Sequence, residues 1–475
     1  MAGKSLPDCC CKYTTTKRVI SRKRLLDCGQ VALFPHWKHP FYQNSFEPSP
    51  SLSLLYTLLA LRKLFAEIRD ARERHKERHR PTGFEFALAD SVHYLNSGHW
   101  DAVTASAGFF LRRSYLSILE KCCLERFCLR YAMIYQRGEP QAAVVGQILE
   151  LSGDRVIGAG SAKQNLLKRA LSPTARKVSA AVRVRALVCG NLFSWGCHGV
   201  AFGPHAPADE LWPGVAEALY RIRRAERLSG QTNLVFIKEL SSKQQQSAEA
   251  LRRFSYRPIE TDPDMVLELK SEWHRYGDYL NSLDRKYRKS AQQIVKEIED
   301  AGCLVERVRE PDLLMGRLHE LYLSVHKNAA VRPATLPPDY LPALAKGVGE
   351  DFSCIILRRG EEILGFVTLL RDGELAIGYY IGYDREAAAT LPLYLRLLHA
   401  VVEQAIDWKC RRLSLGRTAL EPKARLGARP EPLFIWARHR HPTVNFFVRK
   451  LAYAIPHGEP PERNPFKNAP SDKSL

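Results

Sequence analysis

One short loop carries a carboxylate and three cations. In Gly416-Arg-Thr-Ala-Leu-Glu-Pro-Lys-Ala-Arg-Leu-Gly-Ala428, Glu421 is surrounded by Arg417, Lys423 and Arg425. Cations so placed can hold phosphates, and Glu421 can act as a base. Glu421 also stands four residues before Arg425, the spacing at which such residues pair on a helix. Tyr379, Tyr380 and Tyr383 lie on and just after a strand preceding this loop. A phenol there can protonate a leaving group or line a channel, although alternate strand side chains must face the core. Lys238 and Glu239 follow another apolar strand, and His198 sits in a loop after Gly196-Cys197. Lys286, Arg288 and Lys289 open a helix, where they can meet an anion or form a solvated basic face.

The elements that must position these residues are legible from periodicity. Apolar runs around Arg359-Gly360-Glu361 predict a hairpin from Cys354 to Leu370. A strand (375–381), a helix (391–408) and a strand (411–415) follow. The helix places Leu391, Tyr394, Leu395, Leu398, Val402 and Ala405 inward and leaves Arg396, His399, Glu403 and Asp407 to solvent. His399 is thus read as a surface residue. The same order occurs earlier: a hairpin from Tyr131 to Leu149 turning at Arg137-Gly138-Glu139, a strand (183–189), a helix (210–228) and a strand (232–237). Residues 155–182 are extra in this first copy. Two copies of one α/β unit is the architecture this implies. Before the first copy, Phe84 to Ala89 reads as a strand and Arg113 to Cys123 as a helix. Between the copies, Ser282 can cap a helix reaching Ala301, with Gly302 as its stop and Leu283, Tyr287, Ala291, Ile294 and Ile298 as its buried stripe.

The 475 residues suit two packed domains plus an extension, with 45% hydrophobic and 26% charged residues as in ordinary globular proteins. The formal charge of +20 favours a polyanionic partner: nucleic acid, an anionic lipid surface or a phosphorylated substrate. The 12 cysteines are scattered, with no Cys-x-x-Cys pair, which fits a reducing cytoplasm and no structural zinc. Residues 1–50 hold five prolines and no periodicity, and read as unstructured. From Leu52 to His79 the pattern is helical, with a basic second half, Arg69 to Arg80, that can touch an anionic membrane or pack on a partner. Whether residues 1–83 are a transit peptide, a membrane-contacting helix or a translated leader stays open at this point. From Pro456 the chain is rich in proline and charge and reads as a tail.

Leu283-Asp-Arg-Lys-Tyr-Arg-Lys-Ser290 at a helix start resembles the opening of the second domain in FemAB-like, GNAT-superfamily acyltransferases, a branch tied to peptidoglycan biosynthesis. The resemblance extends to Val188-Cys-Gly-Asn-Leu-Phe-Ser-Trp-Gly196, Phe236-Ile-Lys-Glu239, Tyr380-Ile-Gly-Tyr-Asp384 and Leu415 to Gly427, and covers roughly 84–451. It implies an α/β (α+β) fold of tandem GNAT-like domains with mixed sheets flanked by helices. The expected bounds are 1–83 for the extension, 84–270 and 271–455 for the domains, and 456–475 for the tail. The activity implied is N-acyl or aminoacyl transfer from acyl-CoA or aminoacyl-tRNA to an amine: a cell-wall precursor, an amino sugar or an amino acid. No metal is implied. Glu421, Tyr380 and Tyr383 are then the candidate catalytic groups. Arg417, Lys423, Arg425, Lys286, Arg288 and Lys238 are the candidates for binding substrate. Two features depart from the pattern. The turn that cradles acyl-CoA phosphates should be glycine-rich, yet it reads Tyr383-Asp-Arg-Glu-Ala-Ala-Ala-Thr390, and Phe202-Gly-Pro-His-Ala-Pro-Ala-Asp209 in the first copy. The long charged arm that some relatives insert for tRNA is missing as well. The alternative expectation is a degenerate, non-catalytic GNAT-like module that binds a phosphorylated or nucleic-acid ligand.

Overall fold

Both Arg-Gly-Glu turns form. Arg137 and Gly138 have φ of 54° and 81°, the left-handed pair of a tight hairpin turn, and Gly360 has φ 58°. In the computed structural model the chain divides into residues 1–69 and 70–475. The structure describes residues 80–123, 127–152, 183–308, 311–328, 334–446, 461 and 463–467, with Arg62, Ala66, Arg69, Glu73 and Lys76 as single helical positions. The readings of residues 1–50, of 155–182, of most of 52–79 and of the far C-terminus lie outside these. No described helix is long and apolar enough to cross a membrane.

The first half runs β1 (Glu85–Ala89), α1 (Ser97–Thr104), α2 (Arg113–Cys123), β2 (Cys128–Gln136), β3 (Glu139–Ser152), β4 (Arg183–Cys189), β5 (Val200–Phe202), α3 (Ala208–Ala225), β6 (Leu234–Ser241), α4 (Ser242–Ser247) and β7 (Arg257–Glu268). Two helices, α5 (Tyr276–Ser282) and α6 (Arg285–Asp300), join it to the second half. That half runs β8 (Cys303–Val308), α7 (Met315–His326), α8 (Tyr340–Val348), β9 (Phe352–Arg359), β10 (Glu362–Asp372), β11 (Leu375–Tyr383), α9 (Leu393–Asp407), β12 (Arg412–Ser414), α10 (Leu420–Arg425) and β13 (Arg429–His439).

All the described strands share one mixed sheet, ordered β1-β2-β3-β4-β6-β13-β7-β12-β11-β10-β9-β8 with β5 beside β3. The order is a palindrome about the β13–β7 pair. Outward from it, β6 matches β12, β4 matches β11, and each half ends in a run of antiparallel strands. The parallel pairs, β4–β6 and β11–β12, also match. The last strand of each half crosses over: β13 pairs with β6, and β7 pairs with β12. Hence neither half has a complete sheet alone. The helices α2 and α8, one from each half, share one hydrophobic core on one face, with Trp100, Tyr115, Tyr131, Phe352 and Phe366 fully or nearly fully buried. On the other face α3 and α9 each cover their own half.

Three sequence expectations are corrected here. His399 is 5% exposed, because α9 is covered by α5; its Nδ1 lies 2.7 Å from the Tyr276 hydroxyl, and burial lowers its pKa to about 4. A helix packed on two sides needs a wider apolar stripe than one surface stripe suggests. Ser282 does not cap the linking helix: its hydroxyl donates to Tyr279 O, the chain breaks at Leu283, and Asp284 is the residue before α6. Finally, part of the expected tail is anchored. Asp284 N donates to Pro465 O, Lys467 N donates to Ser282 O, and the Phe466 ring lies 5.7 Å from that of Trp273.

Candidate functional site

Beside β10, strand β11 carries one residue too many. Val367 pairs with Ile381 and Leu369 with Gly378, so Tyr379 and Tyr380 together oppose Thr368. This is a β-bulge, a device that re-aims side chains. The buried Thr368 hydroxyl accepts from Tyr380 N (3.0 Å) and donates to Tyr380 O (3.3 Å), taking up the ladder bonds that the bulge leaves open. The bulge cancels strand alternation, so both tyrosines turn toward the first half. Tyr379 packs in the shared core, its hydroxyl 2.7 Å from that of Tyr340. Tyr380 donates to Phe193 O at 3.0 Å. Just before the bulge β11 loses its parallel neighbour: pairing with β12 ends at Ile377–Ser414, and the two strands part. Gly378 stands at that fork, where a Cβ would lie 3.1 Å from Val401 and 3.6 Å from Ser414 O.

The first half has the same device on a larger scale. Strands β4 and β5 are one strand interrupted by residues 191–198: Gly146 pairs with Cys189, and Val144 pairs with Val200. The neck closes on Val145, which accepts from Gly190 N and donates to Gly199 O. Only glycine fits here, since a Cβ on Gly199 would lie 2.4 Å from Gly190 N. The loop so expelled crosses to the small bulge. The Trp195 ring lies 6.2 Å from that of Tyr379, tilted by 41°, and donates from Nε1 to Ser414 Oγ at 2.6 Å. Ser414 Oγ donates in turn to Asp264 Oδ2 (2.6 Å), whose other oxygen accepts from Gly416 N (2.9 Å).

Beneath the loop lies an ionic network. Glu239 is 0% exposed in a left-handed backbone position (φ 53°). It accepts from Lys238 Nζ (2.7 Å), from Gly196 N (2.7 Å) and from the guanidinium of Arg417, which crosses from the other half. Burial would raise its pKa, but the Lys238 and Arg417 charges outweigh this and hold it below the ordinary carboxylate value. Burial lowers the pKa of Lys238, which also donates to Ser194 O at 2.6 Å. Lys423 is 4% exposed and donates to Gly416 O at 3.0 Å; burial brings it down to about 8, against the pull of Asp264. Burial of Asp264 raises its pKa. His198 falls to about 4 through burial and the Lys238 charge. Three polar atoms in or under the large bulge are buried without a partner: Gln147 Nε2, Ser194 Oγ and His198 Nδ1. Such atoms are costly unless a bound group satisfies them.

The turns that would cradle a pyrophosphate are taken. After β11, the Asp384 carboxylate accepts from Glu386 N (2.9 Å) and Ala387 N (3.0 Å). In α3, Asp209 and Glu210 occupy the first turn, where the helix dipole already welcomes negative charge.

Of the residues singled out in sequence, Lys238, Arg417, Lys423 and Tyr380 meet at the two bulges. Tyr383 lies past the small bulge, its ring 6.0 Å from that of Tyr394. Glu421 accepts from Arg425 (3.1 Å) and Arg463 (3.2 Å) on the surface. Lys286 is exposed and Arg288 half-buried on the first turn of α6, which packs on α9 and edge strand β8, away from the bulges. Thr368, Asp264, Ser414 and Trp195 were not singled out as site residues. Thr368, the one polar residue in Leu364-Gly-Phe-Val-Thr-Leu-Leu370, was the available signal.

A family model described as an acetyltransferase (GNAT) domain matches residues 285–424. The second half is similar to a GNAT acetyltransferase domain. Among solved structures, that of FemX is 10% identical and aligns over 77% of this chain and 100% of its own, with a TM-score of 0.47. A tandem GNAT protein from the clavulanic acid biosynthesis pathway is 12% identical over 76% and 99%, with a TM-score of 0.43. A GCN5-related N-acetyltransferase from Sphaerobacter thermophilus is 11% identical over 76% and 97%, with a TM-score of 0.39. No curated protein sequence matches the chain.

Proposed function

We propose that the protein is a GNAT-type acyltransferase, with 84–270 and 271–455 as two GNAT-like domains, that moves an acyl or aminoacyl group onto an amine. The observation that carries this reading is the match over residues 285–424, which includes the fork between β11 and β12. The donor's acyl arm lies along the edge of β11 beyond Ile377, where no parallel strand takes up the backbone groups, and its carbonyl accepts from that edge as charge develops. The amine nitrogen bonds to the carbonyl carbon, the C–S or C–O bond to the carrier breaks, and the amine's proton ends on the departing sulfur or ribose oxygen. Tyr380 is suited to deliver a proton there: burial raises its pKa, so its phenol stays protonated. Arg417 and Lys238 supply positive charge at the junction, and Lys423 holds the Gly416 loop in place. The unpaired atoms of Gln147, Ser194 and His198 are the groups that a bound substrate satisfies.

Acyl-CoA and aminoacyl-tRNA are the donor classes to test, with a cell-wall precursor, amino sugar or amino acid as acceptor. A cytoplasmic setting is part of this reading, since the 12 cysteines are scattered with no Cys-x-x-Cys pair. A panel of acyl-CoAs and charged tRNAs, read by thiol release and by deacylation, tests the reading. Turnover with any member supports it, and a panel in which nothing reacts or binds overturns it. The capped turn at Asp384 and the acids of α3 favour a second reading, a non-catalytic module for a phosphorylated ligand. It expects saturable binding without turnover.

A further inference from the structure

At the end of the sheet remote from the bulges, positive charge outnumbers the acids: Glu226, just past α3, is taken by Arg130 and Arg185. The register places His439 beside Leu234 and Ala437 beside Arg257, so the end of β13, the start of β7 and the start of β6 meet there. The C-terminal turn of α3 ends beside them. Arg223 and Arg224 come from that turn, Arg438 and Arg440 from the end of β13, and Arg253 from the 3-10 helix Ala248–Phe254 that leads toward β7. Among the described residues none of the five is in an ion pair, whereas nearby Arg221 and Arg252 have Glu217 and Glu249. Three of them lie near enough to repel: burial, and then the charges of Arg438 and Arg440, weaken the hold of Arg223 on its proton. Arginines collected against mutual repulsion, with no carboxylate supplied to them, fit an external polyanion.

Three large apolar side chains are exposed at the same end. Leu228, just past α3, is 100% exposed; Val444 and Phe446, just past β13, are 43% and 66% exposed. These decide between kinds of polyanion. A nucleic-acid backbone has no use for the aliphatic Leu228 and Val444; of the rings under the arginines, Tyr220 is half-buried and the other two are buried. Arg253 lies over Phe254 at 4.9 Å and Arg438 over Tyr256 at 5.8 Å, with both rings at most 4% exposed. Apolar side chains beside guanidinium groups match the interfacial layer of an anionic bilayer, where phosphates meet acyl chains.

We propose that this end of the sheet is a docking surface for an anionic membrane leaflet. The arginines take headgroup phosphates, and Leu228 and Val444 enter the layer below.

Co-sedimentation of the full chain with phosphatidylcholine vesicles, with and without phosphatidylglycerol, tests this. The protein should pellet with the anionic vesicles and far less with the neutral ones. Replacing Arg223→Gln, Arg438→Gln and Arg440→Gln together should weaken partitioning by about a hundredfold. The melting temperature should hold or rise as the repulsion is relieved. Leu228→Ser changes no charge and no packing, and should still lower partitioning by about tenfold. Both variants keep the basic Arg69–Arg80 segment, so its contribution cancels. Three results would overturn the proposal: no binding to anionic vesicles, a triple variant that binds as the parent does, or an indifferent Leu228→Ser. Duplex RNA bound through the same arginines, with Leu228→Ser unaffected, would assign the surface to nucleic acid instead.

Discussion

The two halves solve the same problem at different scales. In the second half β11 expels two residues, Tyr379 and Tyr380, and one threonine hydroxyl repairs the ladder. In the first half the equivalent strand expels residues 191–198, and the repair needs a glycine neck, Gln147 Oε1 on Leu192 N, and the buried Lys238–Glu239–Arg417 network. A small bulge keeps its tyrosines aimed with one side-chain hydroxyl, that of Thr368, and the bonds of their own phenols. A large one must be held from beneath, and the charges that hold it come from both halves. The result is a junction in which the first half's loop closes over the second half's strand fork.

Breaking the larger support should cost most. Glu239→Ala leaves the half-buried Lys238 and Arg417 without their carboxylate, and a loss of about 3 kcal/mol in unfolding free energy is expected in denaturant titration. Gly199→Ala forces a Cβ against the backbone of the neck and should cost about 3 kcal/mol; Gly373→Ala, at the turn between β10 and β11, meets open space but a φ of 61°, and should cost about 1–2 kcal/mol.

Acid should also separate the two. His198 is held neutral near the large bulge, with a folded pKa of about 4 beneath an ordinary value of 6.5. The unfolded chain therefore binds the extra proton first, and stability falls as pH drops from about 6.5 toward 4. Melting curves should show a loss of about 1–2 kcal/mol by pH 5 from this group, flattened in His198→Asn. The tyrosines of the small bulge, raised by burial, contribute nothing in that range. The smallest stability effect is expected from Tyr380→Phe, about 1 kcal/mol for the bond to Phe193 O. If Tyr380 serves as the proton donor, the same change lowers kcat by about a hundredfold with little change in KM. Equal rates for parent and variant would remove it from the mechanism.

Much of this arrangement was legible in the chain, and the failures have particular causes. The hairpins at Arg137 and Arg359 were readable because glycine beside a polar residue favours the left-handed conformation that tight turns require. Lys238 and Arg417 were readable as charges at the ends of apolar strands. The misreading of His399 came from assigning α9 one buried face when α5 covers another. The tyrosines escaped strand alternation because one extra residue resets which face each side chain takes, and sequence does not display a register.

By itself, the sequence determined the repeated unit, its turns, its helices and the charge of the strand ends, all of which depend on neighbours a few residues apart. Tertiary structure alone decided that β7 and β13 change places, that Arg417 pairs with a carboxylate far away in sequence, and that Trp195 covers the fork of the other half. Those contacts join residues whose separation along the chain leaves no periodic trace, and their energies arise only once both halves exclude water from the junction.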